Sequence, residues 1–481
     1  MTSSSTYPSY PFRWVTNIGF TVVLLCTMIS GCMVGPNYHT PVVPTAPAYK
    51  EPAPNSPVPV PAGGAWWLVF GDVTLNDLEA QAVAANPDIQ IAVAHVDQAD
   101  AVRRSVHSFQ LPTVTAGASA SRTREGQQRP NNGNTNGQAA TYNDFQLPLS
   151  LSYEIDAWGR IRRMVQSATA SQQATEADLR FVRLSVAASV ATDYYTLREA
   201  DAETQILDTT IVDLERGYQI TNNQFRRGLI SELAVKQAQT ILDQTRAHIE
   251  TLHIQRSQSE HAIAVLLGRP VSGFSIAEAD TLPRPPVIPA GVPADLLGRR
   301  PDIASAERAA AASSAQIGVA KAAYLPQFSL TGLAGYESTN PTSLLNWQNS
   351  IASLAASAVA PIFSGGRLKA NVDQANAAYR ESVSQYVKTV FVAYQDVEDQ
   401  LAALHYLSRQ FDAENNAVAD ARRAEEIASN RYGAGLVSYL DVVYAEQTLL
   451  SNQEISTQVQ GQRMVATVAL IRALGGTWQN S

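Results

Sequence analysis

The sequence predicts a mainly α-helical fold with a small set of membrane-spanning β-strands, built from two internal repeats. Three observations predict this fold class. The chain contains long proline-free segments rich in helix-forming residues, it repeats itself without gaps over more than a hundred residues, and it carries inserts in which apolar and polar residues alternate. Each chain is expected to contribute four strands to a twelve-stranded barrel that closes in a trimer.

Composition and charge exclude some partners. The 481 residues carry a formal net charge of −8, with acidic and basic residues interspersed. Without a basic stripe, the chain is not expected to bind nucleic acid. After the N-terminal region no apolar run has the length of a transmembrane helix. The protein is therefore either soluble or meets a membrane through another element.

The N-terminus predicts export and a lipid anchor. Residues 1–31 combine a positive charge with a short apolar run and are expected to be a signal peptide. Ile29-Ser30-Gly31-Cys32 resembles a bacterial lipobox, in which the cysteine is acylated, for example by palmitate, and becomes the new N-terminus. Cys26 would leave with the signal, so no internal disulfide is expected. Since Met33 is not an aspartate, sorting to the outer membrane is favoured; a buried or free thiol is the alternative for Cys32.

A proline-rich segment follows the predicted anchor. Residues 33–65 contain nine prolines, a composition typical of an extended chain. We therefore expect residues 32–65 to form a lipid-anchored tether, and folded sequence to begin near Trp66.

Two alignments define the internal repeat. Residues 86–112 align with 300–326 at a constant spacing of 214, and both copies open on Pro-Asp-Ile and close on Leu-Pro. A second spacing, 207, relates Gly159-Arg160 to Gly366-Arg367 and persists for more than a hundred residues. Together they predict two structural copies. The expected organisation is repeat 1 at 66–268, a proline-rich equatorial connector at 269–299, repeat 2 at 300–475 and a C-terminal tail at 476–481.

The helical part is predicted from composition and period. Residues 159–224 lack proline, and their apolar residues recur three and four positions apart. At 1.5 Å per residue this helix would be roughly 99 Å long. The segments 231–267 and 301–325 would nearly match it together, so we expect the long helix to pack against two shorter helices stacked end to end. A coiled-coil scaffold would show the same pattern.

The inserts predict strands with one apolar and one polar face. Alternation is clear in 113–122 and 145–153, which form the predicted hairpin 113–154, although Pro148 argues against a regular strand. In the second predicted hairpin, 327–363, the alternation of apolar and polar residues is clear in the first strand. Apolar-outward strands near ten residues long fit an outer-membrane barrel, and a small soluble sheet is the alternative. Because open edges are not tolerated in lipid, the chain is expected to oligomerise, and three copies are the smallest assembly with an aqueous lumen.

Several stretches carry a family resemblance. The most specific is LLGRRPDIASAERAAAASSAQIGVAKAAYLPQFSLTG at 296–332. The others are 32–41, 65–89, 156–163 and 431–446. On these residues the chain resembles the TolC/OprM-type outer-membrane factors, in particular the NodT-like lipoprotein branch of efflux systems.

The resemblance implies a homotrimeric barrel on a long α-helical tunnel through the periplasm of a Gram-negative bacterium. The implied partners are a periplasmic adaptor of the membrane-fusion type, an inner-membrane transporter of the RND type, and outer-membrane lipid. The implied function is the exit duct of a tripartite pump for drugs or other small toxic compounds. Two alternatives remain: a type I protein-secretion tunnel, and a periplasmic coiled-coil structural lipoprotein, which would need no apolar-outward strands.

Glycine breaks between the predicted helices mark the implied tunnel tip. Gly228 and Gly435 suit tight turns between antiparallel helices, although ordinary helix C-caps use the same conformation. The resemblance places adaptor binding on the exposed turns. The expected interface residues are Gly228, Leu229, Ser231, Gly435, Leu436 and Ser438.

The resemblance also implies a periplasmic gate. Tyr432 and Asp441 match the family's gate tyrosine and one gate aspartate, and three copies of Asp441 would make a negative constriction that favours cations. Without the family, Asp441 would be an ordinary solvated helix residue. The sequence departs from the family pattern at Val437, Tyr444 and Ala234, so the lock is expected to be incomplete or rebuilt. The candidate partners for a rebuilt lock are Arg226, Arg227, Glu232 and Arg431.

No enzyme, metal or cofactor site is expected. His248, His253 and His261 show no metal-binding spacing and are predicted to lie on a solvated helix surface. The YGAG stretch at 432–435 lacks the preceding strand that a phosphate-binding loop needs.

Overall fold

A computed structural model describes residues 33–51, 64–126, 141–279 and 282–476. The predicted signal peptide and Cys32 lie outside the described residues, and so do residues 127–140, within the first predicted hairpin. The chain divides into two compact units. Among the described residues, the sheet unit comprises those of 33–41, 98–173 and 307–384, and the helical unit comprises those of 42–97, 174–306 and 385–476.

Seven helices account for most of the described residues. They are α1 (Val73–Ala85), α2 (Pro87–Ser108), α3 (Arg160–Arg226), α4 (Glu232–Leu266), α5 (Pro301–Ala322), α6 (Arg367–Gly433) and α7 (Tyr439–Ala473). The three helices predicted in detail begin and end within three residues of the expected bounds, since their composition, period and glycine breaks are local signals. No helix in the described part of the chain combines the length and the apolarity needed to cross a membrane.

Helix lengths confirm the internal repeat. The pairs α2 and α5, α3 and α6, and α4 and α7 have 22, 67 and 35 residues respectively in both copies. Within the sheet unit α3 contacts α5, where Gln316 Nε2 donates to Ser167 Oγ at 2.8 Å. Within the helical unit α3 contacts α4, where Arg256 Nε donates to Asp201 Oδ1 at 2.7 Å. The long helix therefore meets a different short partner in each unit.

The strands form one antiparallel sheet. They are β1 (Thr113–Ala116), β2 (Ser119–Arg124), β3 (Thr141–Ile155), β4 (Gln327–Ser338) and β5 (Ser350–Val359). Both β1 and β2 pair with β3, so the first predicted strand is present in two pieces. The pairing of β3 with β4 joins the hairpins of the two repeats. Four strand positions per chain result, as the fold class predicts.

Pro148 is accommodated by the break in the first strand and by a glycine. The Gly117 amide, between β1 and β2, donates to the Pro148 carbonyl at 2.9 Å. On the other side Pro148 pairs with Gly335, where an added Cβ would lie 2.9 Å from Pro148 Cα. A glycine neighbour and a strand interruption are the usual ways to tolerate proline inside a sheet.

The register gives the sheet one apolar and one polar face. Directly paired residues share a face, so Val114, Leu151, Gly332 and Leu354 form one apolar row across all the strand positions. Further apolar rows contain Leu149 with Ala334, and Tyr153 with Leu330. The opposite face carries Gln146 with Glu337, Ser152 with Thr331, and Ser329 with Ser357. Val114, Leu149 and Leu354 of this face are exposed in the single chain, Leu354 by 75%.

Two polar residues at the ends of α1 connect separate helices of the helical unit. Asp72 caps α1 by accepting from the Leu75 amide at 3.0 Å and accepts from the Tyr194 hydroxyl of α3 at 2.7 Å. Asn86, between α1 and α2, accepts from the Ile89 amide at 3.0 Å and donates to the Leu266 carbonyl at the end of α4 at 2.8 Å. Polar cap residues thus also hold separate helices together.

Residues 33–51 contain no helix or strand, but they are not a free tether. Val43 is buried, and the Lys50 amide donates to Glu398 Oε1 at 2.8 Å. The segment is thus extended, as its composition predicts, and partners far along the chain hold it in place. We call residues 33–41, which belong to the sheet unit, the strap.

The connector after repeat 1 is also held by the helices. It contains 3-10 turns at Val271–Gly273 and Pro293–Asp295 and one helical turn at Leu296–Arg299. Arg198 of α3 donates to the Ala277 carbonyl at 2.7 Å, and Arg256 of α4 donates to the Ile276 carbonyl at 2.6 Å. Arginines of α3 and α4 thus satisfy backbone carbonyls of a proline-rich segment.

Candidate functional site

The two turns that end the long helices have the same geometry. Gly228 follows α3 with φ +73°, and Gly435 follows α6 with φ +72°. The amides of Gly228 and Leu229 donate to Phe225 and Gln224, and those of Gly435 and Leu436 donate to Tyr432 and Arg431, at 2.8–3.0 Å. This is the Schellman arrangement, which needs a left-handed residue after the helix and therefore favours glycine.

Each turn presents an apolar side chain outward. Leu229 and Leu436 are both 69% exposed, although an apolar side chain of this size is more often buried. The serines that follow, Ser231 and Ser438, are the N-cap residues of α4 and α7. The six residues predicted for the interface therefore lie in two matching turns of the helical unit.

The turns differ in their capping. Ser438 and Asp441 form a capping box at the start of α7, in which the Ser438 amide and hydroxyl donate to Asp441 Oδ2 at 2.9 and 2.7 Å. These bonds from Ser438 hold the pKa of the Asp441 carboxyl below its usual value. The equivalent position in α4 is Ala234, which cannot form the box. Asp441 is thus an exposed carboxylate held in place by its N-cap serine, an arrangement that the first turn does not share.

Tyr432 is tied to a neighbouring helix. Its hydroxyl accepts from Gln224 Nε2 at 2.8 Å, which links α6 to the end of α3. Its ring meets the Tyr439 ring edge-on, with 5.3 Å between centroids, and the Tyr439 ring lies directly against Gly217 of α3. Sequence reasoning missed Gln224 and Tyr439 because nothing in their local pattern indicates a partner about two hundred residues away.

A cavity of about 430 Å³ opens between the two turns. Most of its exposed lining surface is apolar, and its polar side chains are Thr221, Gln224, Ser231, Gln237 and Ser438, with the two tyrosines Tyr432 and Tyr439. Besides these, the wall includes Leu233, Ala234, Val437 and Leu440. Two of the three departures from the family pattern, Ala234 and Val437, therefore face the same space. The third, Tyr444, is exposed.

Several acidic side chains lie close to one another near Tyr439. Burial, reinforced by Glu425 and Asp213, raises the pKa of Glu446 to about 7. Burial likewise raises the pKa of Glu425, with Glu426 and Asp213 contributing. Asp213, Glu425 and Glu446 lie on α3, α6 and α7, so the three helices place carboxyl groups close to one another near Tyr439.

The four candidate partners for a rebuilt lock lie at the same end of the helices. Arg226 ends α3, Arg227 is in the first turn, Glu232 begins α4 and Arg431 is in the last turn of α6. Within the described chain none of the four forms a salt bridge. Arg431 contributes to the lowered pKa of Asp441.

Two repeats of long helices that end in matched turns, together with a sheet that has an apolar and a polar face, define an outer-membrane channel protein. The solved structure of the outer-membrane channel OprN has the same fold, with a TM-score of 0.86 and 29% identity over 93% of this chain and all of that chain. The sequence profile of the Outer membrane efflux protein family matches residues 78–269 and 292–476, once on each repeat. The chain belongs to this family.

Characterised relatives match almost the whole chain. The solvent efflux pump outer membrane protein SrpC of Pseudomonas putida is 32% identical over 463 residues, which are 94% of this chain and 97% of that protein. The cation efflux system protein CusC of Escherichia coli is 30% identical over 458 residues, which are 94% of this chain and 97% of that protein. The predicted fold class, the efflux-channel function and the outer-membrane location are thereby confirmed. The alternative of a coiled-coil structural lipoprotein does not fit, because the chain is similar to efflux channels along almost its whole length.

Proposed function

We propose that this protein is the exit duct of a tripartite efflux pump and works as a homotrimer. The observation that carries the proposal is the four-stranded, two-faced sheet, whose outermost strands, β5 and the β1/β2 pair, each have one partner among the described strands. Unpaired edges are not tolerated in lipid. Pairing β5 of one copy with β1 and β2 of the next satisfies both edges, and three copies give twelve strands and an aqueous lumen.

Adaptor docking is proposed at the two Schellman turns. Leu229 and Leu436 supply exposed apolar contacts, and the glycines before them leave the backbone accessible, since nothing lies within 4 Å of a Cβ built on Gly228 or Gly435. Apolar anchors beside small residues suit a helical hairpin of a periplasmic adaptor. That adaptor would connect the duct to an inner-membrane transporter of the RND type.

The gate is proposed at Tyr432 and Asp441. The hydrogen bond from Gln224 and the ring contact with Tyr439 hold Tyr432 between α3 and α7. The Ser438 cap holds the Asp441 carboxylate in one orientation. Three such carboxylates around one axis would form a negative ring that admits cations more readily than anions. Of the rebuilt-lock candidates, Arg431 is the one whose charge acts on Asp441.

Lipid anchoring is proposed at Cys32. The lipobox-like stretch ending at this residue supports it, together with the position of Met33, which packs against Gly159 of the sheet unit. The lipid would be a second anchor beside the barrel. Mass spectrometry of the mature protein tests this proposal directly.

Replacing Tyr432 with phenylalanine is expected to loosen the gate. The change removes the hydroxyl that accepts from Gln224 and leaves the ring contact with Tyr439. A hydrogen bond of this kind contributes about 0.5–1.5 kcal/mol, so the open population should rise about two- to twelvefold. Single-channel recordings in planar bilayers, and susceptibility to a large antibiotic that intact outer membranes exclude, measure the effect.

Tyr444→Phe is the matched control, because it removes a hydroxyl from an exposed tyrosine of α7. Gln224→Ala should reproduce the Tyr432→Phe effect, and the double variant should add little to either. Additive effects of the two changes would contradict a gate closed by this hydrogen bond.

The duct itself is tested by deleting the gene and measuring susceptibility to solvents, metal cations and drugs, with candidate transporters deleted in parallel. Efflux predicts increased susceptibility to at least one class, and no further increase when the cognate transporter is also lost. Loss of a secreted protein, with unchanged susceptibility, would favour a type I secretion tunnel instead.

A further inference from the structure

The strap enters the sheet unit at a narrow site built by α3 and α5. The Val34 amide donates to the Trp158 carbonyl at 3.0 Å. Trp158 lies between β3 and α3, and its indole Nε1 donates at 2.7 Å to the carbonyl of Pro326, the residue before β4. The first residues of the strap are therefore attached where two adjacent strands meet the helices.

Arg163 of α3 is the centre of this site. Its Nε donates to the Val34 carbonyl at 3.2 Å, and one terminal nitrogen donates to the Gly35 carbonyl at 3.2 Å and to Asn37 Oδ1 at 3.0 Å. The other terminal nitrogen donates to Gln166 at 3.0 Å. The residue is 4% exposed, and no carboxylate of the described residues pairs with it. Without the strap this buried cation would lose three of its four acceptors, which is costly.

Three glycines provide the space that the strap occupies. A Cβ on Gly35 would lie 2.5 Å from Gly318 Cα, and one on Gly318 would lie 2.8 Å from the Val34 carbonyl oxygen. A Cβ on Gly159 would lie 2.6 Å from Met33 Cγ. Real Cβ atoms essentially never come so close to their neighbours, so side chains at these positions would expel the strap.

The repeat comparison shows that the site is specific to the strap. The counterpart of Arg163 in repeat 2 is Ala370, and the counterpart of Gly318 in repeat 1 is Arg104. Gly366, the counterpart of Gly159, has a similar φ of +86° but nothing within 4 Å of an added Cβ. Equivalent helix ends thus differ at the positions that contact residues 33–37.

The next part of the strap is held by α5. The Tyr38 hydroxyl donates to the Glu307 carbonyl at 3.3 Å, and Thr40 donates to Glu307 Oε1 at 3.2 Å. The Tyr38 ring packs against a small alanine cluster formed by Ala170, Ala311 and Ala312. The contacts of the strap therefore continue along α5 from Ala312 to Glu307. They fix the direction in which the strap runs.

We propose that Trp158, Gly159, Arg163 and Gly318 form a docking site for residues 33–38 that positions the anchored end of the chain at the base of the sheet. Because one peptide bond joins Cys32 to Met33, the lipid and the apolar face of the sheet then enter the membrane at the same level. This inference rests on the lipidation proposed above. Arg163 acts as a positioning residue, through its bonds to the strap.

Docking is tested by chymotrypsin cleavage after Tyr38 in the purified full-length protein, followed by mass spectrometry. A protease needs the strap released and extended, so Gly159→Ala and Gly35→Ala should raise the initial cleavage rate at least tenfold. Gly366→Ala and Gly64→Ala are the matched controls, since both glycines have positive φ and open surroundings, and should cleave like the wild type. Gly35→Ala alters only the strap, so it leaves the folding of the helices intact. Equal rates in all five proteins would overturn the docking site.

The positioning role is tested by inserting eight Gly and Ser residues at one of two places. Between Cys32 and Met33 the insert separates the anchor from the docked strap, and we expect at least a fivefold loss of trimer in the outer membrane. After Glu51 the same insert leaves that distance unchanged and should be tolerated. Equal trimer yields would overturn the positioning role. If Cys32 carries no acyl group, the lipidation proposal fails and the positioning role with it, whereas the cleavage rates still decide whether the strap docks.

Discussion

Replacing Leu354 with arginine is expected to abolish assembly in the outer membrane. Leu354 lies on the apolar face of β5, in the row that also contains Gly332 and Leu151, and is 75% exposed in the single chain. An arginine on the lipid-facing side of a barrel costs about 2–4 kcal/mol near the bilayer midplane, and a trimer would carry three of them. Heat-modifiable migration of the trimer in detergent and its recovery from outer-membrane fractions measure the loss.

Ser353→Arg is the matched control. Ser353 is the preceding residue of the same edge strand and lies on the opposite, polar face, where an arginine would be hydrated in the lumen. We expect trimers of this variant, with altered ion selectivity in planar bilayers. Loss of assembly in Ser353→Arg alone would reverse the assignment of the two faces, and comparable loss in both would point to β5 pairing instead of lipid exposure.

Replacing Asp201 with alanine is expected to be the most destabilising single change in the helical unit. The buried Asp201 carboxylate accepts from Arg256 at 2.7 Å and from Arg198 at 2.9 Å, and Arg198 is itself 6% exposed. Removing the carboxylate leaves two poorly hydrated cations without their shared partner. Breaking a buried ion pair in this way typically costs about 3–5 kcal/mol. Chemical denaturation of the purified protein measures the change.

The exposed Asp208, two helical turns further along α3, supplies the control. Asp208→Ala should change the free energy of unfolding by less than about 0.5 kcal/mol, as is usual for surface substitutions. Because both arginines also bind carbonyls at Ile276 and Ala277, Asp201→Ala should also increase hydrogen exchange in residues 274–279. A stability change similar to that of Asp208→Ala would mean that these carbonyls alone satisfy the arginines.

Sequence reasoning located the candidate site but not its contacts. The turns at Gly228 and Gly435 were predictable, because a glycine between two helical patterns is a local signal for a Schellman turn. The capping of Asp441 by Ser438 could have been found from the serine and the acid three residues later. The partner of Tyr432 could not, since Gln224 lies at the end of another helix and either residue would suit a solvated surface.

The proline-rich N-terminus shows what composition leaves undetermined. Its composition predicts an extended chain, and residues 33–51 do lack helix and strand. Composition does not indicate what an extended chain touches. The strap is held because Arg163 and Gly318, both more than a hundred residues away, supply donors and space. Nothing in the local pattern of Arg163 distinguishes it from Arg160 and Arg162, which are half-buried and pair with carboxylates instead.

The amino-acid sequence alone specified the two repeats, through its self-similarity at spacings of 214 and 207 residues. It also specified the bounds of three helices, the turn positions and the alternation of the strands, since each of these depends on neighbours within a few turns of chain. The tertiary structure decided which strands pair, how Pro148 is tolerated, what Tyr432 bonds to and where the strap docks. These contacts join residues whose separation is too large for any local periodicity to report. They form only when packing brings the repeats together, so steric fit and the satisfaction of buried polar groups select them.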